Sequence, residues 1–600
     1  NNHLCELLFA QELEEEGILL RTRPIQTRLA WAFLESLFFE NSRRSYEEKF
    51  TRENITYRMK SGWPTLGLLE QLVAADFRSC AGHKCRHKNE CSYFCGLACA
   101  KDSQIIIGNH ALLLHWPQSV DRPGAIIIDE AHRLESEATD AFTLKLTSDD
   151  LETLMKQLRS LQGIGSLFYL LSFEEDRTDT VNRLRSEALT ASDGLEHNLK
   201  PLKKIMEEWF KGRPRYSSIY ENEAPLPVKE KPGSEEESAI LRHLDQIQFV
   251  VRNLYLSLNP YAEEFSTKES RAESETLAIT RFEAFFTLLV DATNVFDCLL
   301  SRKEGYSHSV KFHEEKGFTL SSAPVDVGRM VNEKILSVAD AVVFTSATLG
   351  NLNGDMGVKG IEWATGYTCL EKTRRFKTGL FIPPIYDYTN NASVFLCDNT
   401  PRMDDPEFVG KVLKEIIPLI KNLGGRSLVL FGSEKRFAEA REIFLGAFNG
   451  EMPLFIQGMG ANVVEEYKKS PKGVLLGKEA FGEGIDIPGD ALQFVFIDKI
   501  PDMTQSLVYE ARRTFYERAF GDAFTDYYLA YRTRKLQQKL GRLLRTRHDR
   551  GGAIIVDSRI KTWKGKSIND FMRLMAPYKI QRASLEEAVR GVREFITSSL

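Results

Sequence analysis

The sequence predicts an α/β protein of two parallel-sheet domains, the first interrupted by a long helical insertion, and three observations predict it. A run of pure hydrophobe, Ala125 to Ile128, has the length and β-branching of a strand buried on both faces. Further runs at Ala341 to Phe344, Ser427 to Phe431, Gly473 to Leu476, Phe494 to Ile497 and Ala553 to Val556 are separated by helical stretches. Between about 140 and 310, Leu151, Leu154, Leu158 and Leu161, then Leu241, Leu244, Ile247 and Val250, recur at three- and four-residue spacing, the stripe of helices that pack on one side.

In chain order, Cys5, Cys80, Cys85, Cys91, Cys95 and Cys99 crowd the first hundred residues, with only Cys298, Cys369 and Cys397 after them. Clustering of that kind points to ligation. Ile105-Ile106-Ile107 reads as a second buried strand beside Ala125 to Ile128, and the helical insertion follows. Within it, Glu221 to Glu237 is acidic and rich in proline, serine and glycine, the composition of a solvated loop. Strand signals resume at Phe318-Thr319-Leu320 and Ala341 to Phe344, and a second α/β pattern runs from about 375 to the end.

Six hundred residues with 42% hydrophobic content allow several domains with real cores. No apolar run reaches the roughly 20 residues of a membrane span, and Asn1-Asn2-His3-Leu4-Cys5 lacks the basic and apolar segments of a signal peptide. The expected location is therefore the cytoplasm, at the nucleoid, in a prokaryote, or the nucleus in a eukaryote. A formal net charge of −5 excludes a uniformly basic coat, yet Arg532 to Arg550 holds a dense run of cations.

Chemistry enters where Ala125 to Ile128 runs into Asp129-Glu130-Ala131-His132. Two adjacent carboxylates at a strand end suit nucleotide hydrolysis, one for Mg²⁺ and one for the attacking water; a solvated charge pair is the plainer alternative. Further segments favour hydrolysis. Thr345-Ser346-Ala347-Thr348 ends another apolar strand with hydroxyls, and Phe481-Gly482-Glu483-Gly484-Ile485-Asp486 has glycines that permit close approach to a phosphate or ribose. Gln538-Lys539-Leu540-Gly541-Arg542-Leu543-Leu544-Arg545 spaces two guanidiniums by three residues, hence on one face of a helix. Arginine there suits γ-phosphate charge in the transition state, worth about 10³–10⁵ in rate in comparable enzymes.

The box, Thr345 to Leu349, the Glu483-Gly484-Ile485-Asp486 loop and the Gln538 to Arg545 segment stand in the order found in the iron–sulfur superfamily 2 DNA helicases of the XPD/DinG family. The chain resembles that family from residue 1 to about 575, and the DinG-like branch most. The resemblance implies two RecA-like motor domains, with a cluster insertion and a helical arch in the first. Its boundaries would be 1–103 for the cluster domain, 104–139 and 316–374 for motor domain 1, 140–315 for the arch and 375–600 for motor domain 2. It implies ATP as substrate, Mg²⁺ on Asp129, water orientation by Glu130, coupling through His132, Ser346 and Thr348, nucleotide contacts from Gly484 and Asp486, and γ-phosphate contacts from Gln538, Arg542 and Arg545. It also implies a monomer moving 5′→3′ on single-stranded DNA and opening forked or displaced-strand duplexes, in DNA repair or related work. Gly482 stands where many DinG-like members carry an aromatic residue, so contacts of that ring are not carried over.

By spacing alone, the cysteines could hold zinc, an iron–sulfur cluster or nothing. The resemblance implies a [4Fe–4S] cluster on Cys5, Cys80, Cys85 and Cys91, with Cys95 or Cys99 able to replace a ligand. One element is missing from the sequence. No Gly-x-x-x-x-Gly-Lys-Ser/Thr loop occurs; at Gly565-Lys566-Ser567 the first glycine's place is taken by Ile560. In the family that loop precedes the first cluster cysteine, so the expectation is an N-terminally truncated chain that hydrolyses ATP poorly or not at all. The alternative is a non-catalytic, metal-containing nucleic-acid-binding or scaffold protein on a helicase frame.

Overall fold

The structure is a computed structural model. It describes the chain except residues 1–4, 6–8, 11, 14–15, 45–49, 51, 75–79, 81–84, 86, 90, 118, 162, 173–176, 212–220, 228–232, 267–272, 315, 347–348, 350–357, 376–379, 381, 460–462, 471, 483–486, 488, 504–505, 564 and 599–600.

Three sheets organise the described residues. Strand β1 (Ala125–Ile128) is the hydrophobic run before the carboxylates. Strands β2 (Leu144–Thr147), β3 (Glu221–Pro225), β4 (Tyr306–His313) and β5 (Gly317–Pro324) form an antiparallel sheet in the order β2-β5-β4-β3. Strand β6 (Ala341–Phe344) pairs in parallel with β1, from Ala125 opposite Ala341 to Ile128 opposite Phe344. The remaining strands are β7 (Ala392–Cys397), β8 (Ser427–Phe431), β9 (Leu454–Ile456), β10 (Val474–Lys478), β11 (Phe494–Ile497), β12 (Gly551–Val556) and β13 (Ile580–Arg582). They form a wholly parallel sheet in the order β13-β7-β12-β11-β8-β10-β9.

The chain divides into two compact units, the first made of residues 1–124, 137–325 and 506–508 and the second of 125–136, 326–505 and 509–600. In the first, helices Thr178–Phe210, Glu235–Ser266 and Glu273–Leu300 turn leucine and phenylalanine stripes inward onto Val310, Phe318 and Leu320 of the antiparallel sheet. A smaller core of Phe9, Trp31, Leu34, Leu66 and Leu69 holds the cysteine-rich N-terminal part. In the second unit the seven-stranded sheet is covered on both faces. Phe395 and Cys397 meet one set of helices and Val394 and Leu396 the other, the alternation of a strand buried on both sides.

The α/β class is as the sequence predicts, but three local readings are corrected. Ile105 to Ile107 form no strand, and Ile105 and Ile107 are almost fully exposed. A β-branched run buries itself only where a sheet offers it a ladder, and none is offered among the described residues. Phe318 to Leu320 do lie in a strand, but β5 runs antiparallel to β4 in the helical unit's sheet, so the expected boundary at 315/316 falls inside a hairpin. Gly317 closes that turn at φ +75°, where a Cβ would stand 2.3 Å from the Ser148 hydroxyl. Glu221 to Pro225, read as loop, is the edge strand β3, held to β4 with Ala224 buried.

Candidate active site

β1 delivers the two carboxylates. Its last residue, Ile128, is buried, and the turn beyond it is pinned from the end of β6: Thr345 N–H donates to Ile128 O at 2.9 Å, and Ala131 N–H donates to Thr345 O at 3.0 Å. Asp129 is exposed at the strand end, where its Oδ1 accepts the Glu130 N–H at 2.9 Å. Glu130 adopts a left-handed backbone, φ 48° and ψ 42°, a conformation that costs a residue with a Cβ about 1–2 kcal/mol. The bonds on either side of it hold that turn closed.

From Glu130 a chain of polar contacts reaches the helix Ala530–Leu540. The Ser346 hydroxyl donates to Glu130 Oε2 at 3.0 Å. His132 Nδ1 lies 2.8 Å from Ser346 Oγ and 3.1 Å from Glu130 Oε2. Gln538 Nε2 approaches His132 Nε2 at 2.6 Å. With the amide nitrogen donating there, the imidazole accepts on Nε2 and carries its proton on Nδ1, toward Ser346 and Glu130; the tautomer is assigned from this bonding. Only 7% of the His132 side chain is exposed, against 52% for Glu130. The ring is thus a fixed spacer between an open carboxylate and a helix.

Arg542 and Arg545 are placed differently from expectation. The helix stops at Leu540 with Gly541 as its cap, and both arginines follow it in turns. The reason is Asp549. Its Oδ2 accepts the N–H of Arg545 at 2.6 Å and of Thr546 at 2.8 Å, its Oδ1 accepts the Thr546 hydroxyl at 2.5 Å, and the segment folds into a turn around it. Tyr386 donates its hydroxyl to Arg545 O at 2.7 Å. Burial pushes the Tyr578 phenol well above its ordinary range, and the positive fields of Arg545 and Arg542 oppose that shift. Thr348, Gly484 and Asp486 lie outside the described residues.

The Helicase C-terminal domain family matches residues 416–577. The ATP-dependent DNA helicase YoaA of Escherichia coli is 23% identical over 82% of this chain and 70% of its own length. The ATP-dependent DNA helicase DinG of Photobacterium profundum is 24% identical over 87% of this chain and 75% of its own. These matches support an ATP-dependent helicase of the XPD/DinG type. Among solved structures, Xpd4 of S. tokodaii aligns over 79% of each chain with a TM-score of 0.42 and 15% identity.

The cysteine region offers thiol donors. Cys5 is tied to the segment before Cys80 by its N–H, which donates to Val73 O at 2.8 Å. Burial raises the Tyr93 phenol, and the fields of Cys80 and Cys91 raise it further. Among the described residues, however, no three His, Cys, Asp or Glu side chains converge tightly enough to hold a metal ion. No described helix is long and apolar enough to cross a membrane.

The sequence reading of this helicase missed Glu135, Arg512, Tyr516, Tyr578 and Asp549. A signal existed for Glu135, which follows His132 by three residues; the others are ordinary members of charged or aromatic stretches, and only the fold brings them near the site.

Proposed function

We propose that this protein is an ATP-dependent DNA helicase that translocates 5′→3′ on single-stranded DNA and opens forked or displaced-strand duplexes. The observation that carries the hydrolytic part is the continuous contact from Glu130 through Ser346 and His132 to Gln538. Such a chain lets the state of the water-orienting carboxylate be felt at the helix before Arg542 and Arg545. Asp129, exposed at the strand end, would hold Mg²⁺, which when bound draws charge from the β- and γ-phosphates. Glu130 orients the attacking water, His132 and Ser346 fix that carboxylate, and the turn of Arg542 and Arg545 meets the γ-phosphate. Thr348, Gly484 and Asp486 are assigned to coupling and nucleotide contact by family resemblance.

The 600 residues contain no P-loop, so this span alone hydrolyses ATP poorly. β1 and β6 are consistent with a larger sheet: Ile127 is 75% exposed and Val343, directly opposite it, 54% exposed, whereas parallel strands are ordinarily covered on both faces. Glu130→Gln in the intact protein should lower steady-state ATP turnover by about 100-fold or more while ATP binding persists. Turnover equal to wild type would remove the catalytic assignment and leave the scaffold reading.

We assign Cys5, Cys80, Cys85 and Cys91 to a [4Fe–4S] cluster on donor chemistry and family resemblance, with no catalytic step passing through it. Anaerobically purified protein should be brown, with a broad visible shoulder and iron and acid-labile sulfide in equal amounts, and Cys80→Ser and Cys91→Ser should each bleach it. A colourless, zinc-loaded protein would refute the cluster.

A further inference from the structure

One turn beyond His132 the box segment makes a second, buried contact that the nucleotide chemistry does not use. Glu135 Oε1 accepts the Tyr516 hydroxyl at 3.3 Å and faces Arg512 Nε at 3.6 Å. Side-chain exposure is 18% for Glu135 and 7% for Arg512, so water screens the pair little. Arg512 and Tyr516 stand four apart on the helix Leu507–Phe520 and so present one face. Tyr516 stacks on Tyr527 at 4.3 Å with the planes 12° apart. Behind it, Phe515 packs edge-on against Trp363 at 5.4 Å. Arg534 also feels Glu135: burial lowers its guanidinium and the carboxylate opposes that shift. Arg534 lies one turn before Gln538 on the helix that touches His132.

Stability alone does not explain such a group. A buried ion pair can usually be replaced by apolar side chains of like volume without loss; what the pair supplies is one permitted registry. Here the registry relates the Asp129–His132 turn to the two helices that carry Arg512 and Gln538.

We propose that Glu135 is a positioning residue for hydrolysis, its carboxylate locking the Asp129–His132 turn against Arg512 and Tyr516 so that His132 meets Gln538. The kinetic consequence rests on the helicase reading above; the structural one does not. In Glu135→Gln, amide exchange should quicken by about tenfold across 129–136 and 509–520 and stay unchanged in β8 and β11. In the intact protein kcat should fall by about tenfold, with KM for ATP within about twofold of wild type.

The double variant Glu135→Leu, Arg512→Leu removes both charges together, so it guards against a folding defect; it should retain the melting temperature and show the same loss of kcat. Wild-type exchange at 129–136 in Glu135→Gln, or wild-type kcat in the double variant, would overturn the proposal. If the intact wild-type protein hydrolyses no ATP, the helicase reading falls, and the exchange measurement still decides whether Glu135 positions the turn.

Discussion

At the scale of the residue, the half-buried Asp502 shows how a carboxylate links fold to pH. Its Oδ1 accepts the Tyr528 hydroxyl and an Arg532 Nη2, each at 2.6 Å, and Arg559 pairs with its Oδ2. Burial alone would raise this carboxyl; Arg532, Tyr528 and Arg559 together outweigh burial and hold it below its ordinary value of 3.8. A depressed carboxylate stabilises the fold above the unfolded value, and that contribution is lost as pH falls through the folded one. Asp502→Asn should therefore cost about 2–3 kcal/mol at pH 7, less below pH 3.8, read from denaturant midpoints at both pH values. Asp129, Glu130, His132, Ser346 and Gln538 were legible in the sequence because each sits at a fixed place relative to a strand or helix end. Arg512 was not, because an ion pair between distant segments leaves no local pattern, and Glu135 was marked only by its place one turn after His132.

At the scale of the element, apolar runs foretold strands wherever a sheet was present to receive them, as at β1, β6, β8, β11 and β12. Ile105 to Ile107 misled because composition reports burial potential and not the partner. The Gln538 to Arg545 segment misled in the opposite way: its spacing suits a helix, but Asp549 offers its backbone a competing set of acceptors. Packing at element boundaries is also uneven. Helix Leu585–Thr597 lies so close to the sheet that a Cβ on Gly591 would stand 2.5 Å from Phe395 Cζ, while a Cβ on Gly446, in helix Glu434–Phe448, would meet nothing within 4 Å. Gly591→Ala should destabilise by about 1–3 kcal/mol. Gly446→Ala should be neutral or stabilising by up to about 1 kcal/mol, and thermal melting of the pair separates the two cases.

At the scale of the whole molecule, the α/β class and the long helices between 178 and 300 were legible because periodicity averages over many residues, while the division into two units was not, since β1 and its turn group with the second unit's strands by contacts no local pattern records. The strand pair β1 and β6 has one further consequence. With Ile127 and Val343 bare on one face and two edges carrying unmatched backbone donors and acceptors among the described residues, it is a ready template for another extended chain. Copies of this chain should therefore associate edge to edge through this strand pair, a tendency that concentration-dependent light scattering reads.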